Sequence, residues 1–335
     1  MTRTRSAHLL LCTLLLAAPA AHGAAAQTAI PATPGPARVS PAPDTTAPVL
    51  TISAPVGTAA EYVTSVSTRL TVADVQVSAL PGGGATEADL NAARRAFAGG
   101  AQALNRTQTQ QGKAFYRVAG RQPDGSVQLV TTLVQGGAGA PAVTLTITQD
   151  LSPAGRSSNF KITSPDPQLA RALSALNDPQ LQALAARSGA GTIYGTPLVA
   201  GQPRTTTDTV DTQALLGGLI GSLTGGALGE IEASPLSVTT TTTYRGSGPQ
   251  GQAQFDTRAA AGRWTFRVAG GPETPELAFE LSDLNASGTS SYRRDGLPGA
   301  TTQRQQMRLN ATFRQDGVQV RLAMTLDQTV NLTPR

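Results

Sequence analysis

The chain has 335 residues, a formal charge of +5 from 26 basic and 21 acidic side chains, one cysteine and two histidines. Cys12, His8 and His22 all fall within the first 26 residues, so everything after them is free of thiol and imidazole. That excludes from the remainder a Ser-His-Asp triad, a Cys-His pair, His- or Cys-ligated zinc and any disulfide.

Residues 1–26 read as a secretory signal. Arg3 and Arg5 lead an apolar run at 9–16, and Ala24-Ala25-Ala26 offers a cleavage site, with 21–23 as a second choice. The run is shorter than the about 20 residues a permanent span needs. Leu11 is not the small residue that lipidation of Cys12 would require. Without Arg3 and Arg5 the 26 basic residues fall to 24 against 21 acidic ones, a net of +3. Only Lys113 and Lys161 are lysines, and the arginines are scattered without interleaved aromatics, so no nucleic acid is expected as a partner. An Ala-, Gly-, Thr- and Arg-rich chain behind such a leader is expected in the periplasm or cell envelope of a bacterium.

From 27 to 48 proline recurs every few residues with no apolar periodicity, which predicts a disordered linker. The folded part is expected over 49–335. Between Tyr62 and Val77 the residues alternate, with Val66, Thr68, Leu70 and Val72 on one face of a strand. A PGGG turn at 81–84 ends it. Thr86 with Asp89 forms a capping-box start for a helix carrying Leu90, Ala93, Phe97 and Leu104, which Gly99-Gly100 should weaken in its last turn.

Strands follow: KAFYRVAG, then a turn at Asp124-Gly125, then VQLVTTLVQ, VTLTITQD and NFKIT. DPQLARAL and DPQLQALA each place Asp at the N-cap and Pro first in the helix, predicting a helix pair over 166–188. Asp166 and Asp178 therefore have structural roles. RTTTDTVDTQ and PLSVTTTTTYRG predict two Thr-rich strands. Such ladders present hydroxyl arrays to carbohydrate or ice when many strands repeat them. Two strands alone reflect the extended-backbone preference of Thr. QAQFDTRAAAG, RWTFRVAG and PELAFELSDL continue the pattern.

The last hairpin has the clearest register. With Asp316-Gly317 as its turn, Phe313 faces Val320, Ala311 faces Leu322, Leu309 faces Met324 and Met307 faces Leu326. The segments 112–120 and 262–270 share Arg-Val-Ala-Gly. Halves at 49–165 and 190–335 joined by the helix pair are compatible with this, but the flanks do not align and so short a match arises by chance.

The stretch ALLGGLIGSLTGGALG at 214–229 is uncharged and glycine-rich. Three readings stay open: a buried segment closing a β-cup, a flap over an apolar pocket, or insertion into a membrane interface, against which the lack of Lys and Trp counts. In the flap reading Leu215, Leu216, Leu219, Ile220 and Leu223 bind the ligand. Asp208 with Asp211, Glu230 with Glu232, and Glu273 with Glu276 are the acidic pairs. Glu230 and Glu232 share a strand face and are the least unsuitable acid/base pair, although solvated charge at a strand end is the plainer reading. No calcium loop, phosphate loop or nucleophile elbow is present, and neither metal nor cofactor is implied.

From Thr196 to Val268 the chain resembles secreted bacterial β-rich domains of unknown function. The resemblance rests on Pro197, Gly201 and the strands RTTTDTV and LSVTTTTTY. Pro203-Arg204 stand where that group often has a Trp. It implies an exported, sheet-rich fold and no activity. The expected fold is α+β, mainly antiparallel, curved into an open barrel or cup with a few short helices at its edge; a transmembrane barrel would want more aromatics and a terminal aromatic. Three functions fit: non-enzymatic binding of a lipid or other hydrophobic small molecule, a structural or interaction module of the envelope, and a carboxylate-dependent enzyme.

Overall fold

The computed structural model describes residues 47–136, 142–174, 193–213, 230–270 and 275–335. The signal segment 1–26, the linker through residue 46, the second helix expected from Asp178, and the Gly-Leu stretch with Leu215, Leu216, Leu219, Ile220 and Leu223 lie outside them. The strands are β1 (Ala59–Ala79), β2 (Arg106–Arg121), β3 (Val127–Gly136), β4 (Val143–Leu151), β5 (Ser157–Thr163), β6 (Pro203–Val210), β7 (Ile231–Ala233), β8 (Leu236–Ser247), β9 (Ala253–Ala261), β10 (Trp264–Val268), β11 (Glu276–Tyr292), β12 (Pro298–Gln315) and β13 (Val318–Pro334). Two helices occur among the described residues, α1 (Glu87–Leu104) and α2 (Pro167–Ser174).

All thirteen strands belong to one open, curved, mainly antiparallel sheet that does not close into a barrel. Its order is β5-β4-β3-β2-β1-β13-β12-β11-β9-β8-β6, with β10 on β11 and β7 on β10. The first and last strands pair at the centre, β1 with β13, from Tyr62 opposite Pro334 to Ala79 opposite Val318. Curvature has a local source. Register shifts interrupt the ladders at Val72/Asp74, Val118/Gly120, Thr148/Asp150, Tyr244/Gly246 and Ser282/Asn285. Each such bulge bends its strand and increases the twist.

The bend brings distant strands together at one end. Leu129 of β3, Leu151 of β4, Tyr244 of β8 and Phe255 of β9 join a single buried cluster. Residues 47–57 cross this end as a plug. Leu50, Ile52 and Ala54 point inward, which stabilises by about 2 kcal/mol for each fully buried aliphatic side chain of Leu or Ile size. The backbone of the plug is tied on both sides. Ser53 and Ala54 N–H donate to Asp295 O, Gly195 N–H donates to Leu50 O, and Arg121 Nη2 donates to Ile52 O and Ala54 O.

Four hairpin loops finish the closed end, at 122–126, 152–156, 248–252 and 293–297. In each, the first residue's N–H donates to the fifth residue's carbonyl and the fourth residue's N–H donates to the first carbonyl. The fourth residue is a glycine at positive φ, between +73° and +84°. This is a three-residue loop with a left-handed glycine. At Gly296 the requirement is doubled, because a Cβ would also strike Thr51 O.

The local expectations fare as physics suggests. The β12–β13 register is the one read from the sequence, from Phe313 opposite Val320 to Met307 opposite Leu326. The capping box forms, with Asp89 N–H on Thr86 Oγ1 and Thr86 N–H on Asp89 Oδ2. Asp166 Oδ1 accepts from Leu169 N–H at the start of α2. However, α1 runs through Gly99-Gly100 to Leu104. The two glycines face solvent and cost only intrinsic propensity, while Asn105 Oδ1 accepts from Val72 N–H and pins the end. Val118 and Val268, equivalent in the two Arg-Val-Ala-Gly segments, are both buried, but β2 lies within the main strand order and β10 lies off it.

Candidate functional site

The concave face divides into three levels. The lowest is the sealed end, where Val118 and Leu297 are 0 % exposed. All five tyrosines of the chain lie here or at its margin. Tyr62 meets Tyr116 edge-on at 5.3 Å, Tyr194 meets Tyr292 at 5.7 Å, and Phe255 sits 5.6 Å from Tyr292 and 5.4 Å from Tyr244. A phenol fits this level because the hairpin loops expose carbonyls. Tyr194 Oη donates to Gly296 O at 2.6 Å, and Tyr62 Oη donates to Pro298 O. Burial pushes the Tyr194 and Tyr116 phenols well above their ordinary range and Tyr292 up to about 12. None of them ionises near neutrality.

Above it runs a polar waist. One residue from each of seven strands lies in register across the inner face: Thr206, Thr240, Ala259, Ala286, Gln305 and Gln328, continuing to Thr68 on β1. Gln305 and Gln328 are 4 % and 2 % exposed. Gln305 Nε2 donates to Gln328 Oε1 at 2.5 Å, and Gln328 Nε2 donates to Thr68 Oγ1 at 3.1 Å. At the far end of the row the Thr206 hydroxyl is buried without a partner.

The upper level is apolar. Leu70, Val72, Val75 and Val77 of β1, Val318 of β13, and Leu309 and Phe313 of β12 form one wall with Phe279 of β11. Ala311, Val320, Leu322 and Met324 alternate with them on the same face and form the buried centre of the wall. Helix α1 covers part of this wall through Phe97, whose ring lies 5.8 Å from that of Phe313. The wall continues through Leu281, Leu284, Met307 and Leu326 to Trp264. Trp264 Nε1 donates to Thr212 Oγ1 at 2.8 Å. On the opposite flank α2 places Leu169 and Leu173 against Leu145 and Ile162. The contrast between levels is the feature of interest. Side chains at the sealed end are fully buried, whereas Leu70, Val72, Leu309, Phe313 and Phe279 are only half-buried.

The acidic pairs do not assemble a reaction centre. Glu230 precedes β7 and Glu232 lies on it; both are exposed. Glu232 stands 3.8 Å from Arg267 and lines an outer-face pocket of about 390 Å³ that Glu230 does not line. Glu276 accepts from both Arg267 and Arg314. Asp208 faces inward on β6, where burial raises its carboxyl above the usual range. Asp211 instead accepts from Gln213 N–H in a tight turn. Glu273 lies outside the described residues. Among the described residues no three carboxylates gather as a ligand set, and no helix is long and apolar enough to cross a membrane.

Sequence reasoning missed the tyrosine cluster and the glutamine waist. The tyrosines carried a signal: Tyr292 directly precedes one loop, and Tyr244 stands four residues before another. The glutamines carried none, because their pairing depends on strands far apart in the chain. Comparison with family models, with curated proteins and with solved structures returns no match for this chain.

Proposed function

We propose that this chain is an exported, non-enzymatic binding protein of a bacterial cell envelope, and that it holds a lipid or similar hydrophobic ligand in the upper level of its cup. One observation carries the reading: around a buried centre at Ala311, Val320, Leu322 and Met324, the large wall side chains Leu70, Val72, Leu309, Phe313 and Phe279 stay half-buried, while the opposite end of the same face is sealed. A sheet that needed these five side chains only for its own core would bury them as fully as Val118 and Leu297, since each aliphatic side chain removed from water contributes about 2 kcal/mol. A bound acyl chain supplies the missing cover. The leader-like segment 1–26 supports export, and the absence of His and Cys from residue 27 onward supports binding rather than catalysis.

The test is a titration with a fluorescent polyene fatty acid. Phe313→Asn and Leu309→Asn place amides on the wall and should weaken binding at least about tenfold, because an unpaired amide in an apolar site costs about 1–3 kcal/mol. Thr325→Asn, on the outer face of β13, should leave it unchanged. Equal binding by all four proteins, or none by the parent chain, counts against the reading.

A further inference from the structure

Side chains alternate between faces, so a second row of residues lies on the outer face beside the glutamine waist. It reads Thr205, Thr241, Arg258, Ser287, Arg304 and Thr329 across β6, β8, β9, β11, β12 and β13. Ser67 and Thr109 continue it on β1 and β2. The Thr-rich ladder that two sequence segments announced is therefore part of a hydroxyl-rich row eight strands wide. Neighbouring positions repeat every about 4.8 Å, the spacing of paired strands.

The hydroxyls are held in place. Thr205 Oγ1 and Thr241 Oγ1 are 2.8 Å apart, and Thr207 Oγ1 and Thr239 Oγ1 are 2.9 Å apart. Each pair shares one proton, which leaves the second O–H able to donate outward. The face is dished here into a concavity of about 500 Å³ lined by Thr239, Thr241, Arg258, Ser287, Arg304 and Gln306, with only alanines as apolar neighbours. Arg258 makes no ion pair among the described residues, and Arg304 reaches only Asp327, at 3.9 Å, with 72 % of its side chain exposed. Arg258 and Arg304 thus flank Ser287 on the two neighbouring strands, their backbones about 10 Å apart by strand spacing.

We propose that this dish binds an acidic glycan, a chain of hydroxylated sugars bearing carboxylates or phosphates. Guanidinium is planar and matches an oxyanion through paired N–H groups. The flanking threonine, serine and glutamine side chains both donate and accept, as sugar hydroxyls require. No aromatic side chain lines the dish to stack a base, as a single-stranded nucleic acid would want. No apolar side chain larger than alanine lines it to enter a lipid surface. The site is on the face opposite the cup and does not depend on what the cup holds.

The experiment titrates the whole chain with polygalacturonate, its methyl ester, phosphomannan, duplex DNA and phosphatidylglycerol vesicles. Polygalacturonate, phosphomannan or both should bind, the choice naming the oxyanion, and the methyl ester should not. Arg258→Gln with Arg304→Gln should weaken binding about tenfold or more, since two charge-assisted contacts are lost. Arg156→Gln with Arg171→Gln removes the same charge from two other exposed positions and should change it less than about twofold. Thr241→Val should weaken it without altering charge. Failure of both acidic glycans to bind, equal loss in the control pair, or equally tight binding to DNA or vesicles would overturn the proposal.

Discussion

Tyr194 and Gly296 are 102 residues apart, yet the Tyr194 hydroxyl donates to the Gly296 carbonyl at 2.6 Å and closes the base of the cup. The contact joins the segment leading into β6 to the hairpin between β11 and β12. Tyr194→Phe keeps the ring against Tyr292 but leaves a buried carbonyl without its donor. It should destabilise the protein by about 1–3 kcal/mol, seen as a lower midpoint in urea with an unchanged slope.

The same cluster sets an alkaline limit. Tyr116, Tyr194 and Tyr292 have phenols raised by burial, Tyr292 to about 12, above the about 10 of the unfolded chain. Below pH about 10 both states are protonated and the stability is fully present. Above it the unfolded state ionises first, so stability falls as pH rises from about 10 through 12. Unfolding midpoints measured against pH should drop in that window, and less steeply in Tyr292→Phe. A flat profile would mean that these rings are open to water.

Gln305 and Gln328 form a buried pair whose members depend on each other. Gln305→Leu or Gln328→Leu alone strands one amide and should cost about 1–3 kcal/mol, whereas the double replacement should recover much of the loss. A double-mutant cycle in urea measures the coupling. Strict additivity would show that water, not the partner, satisfies each amide.

Leu297 and Leu309 separate core from wall. Leu297 is 0 % exposed at the sealed end, and Leu297→Ala should cost about 2–5 kcal/mol. Leu309 is half-buried on the open wall, and Leu309→Ala should cost clearly less in the ligand-free protein while weakening uptake of a fatty acid. Equal costs at both positions would place the wall within the ordinary core.

Much of this architecture is legible one strand at a time. Phe313, Ala311, Leu309 and Met307 alternate with Arg314, Thr312, Asn310 and Arg308, and an Asp-Gly turn fixes their partners, so the β12–β13 register follows from period and turn chemistry. The capping box at Thr86 is equally local. The order of the sheet is not, because β1 pairs with β13 at the other end of the chain and no nearby residue encodes that. The plug at Leu50 and Ile52 was readable only as the place where folding begins. For the same reason Thr205 and Thr241 looked like ordinary strand formers. Only the non-sequential neighbours Arg258, Ser287 and Arg304 turn them into part of a surface.

On this reading a bound molecule completes the cup's apolar wall. Native mass spectrometry of the protein, purified without detergent or organic solvent, reveals whether such a molecule is there. The spectrum should show an added mass of a few hundred daltons that organic extraction removes and a long-chain fatty acid restores. A chain that flies at its bare mass, and stays there after incubation with lipid, would contradict the reading.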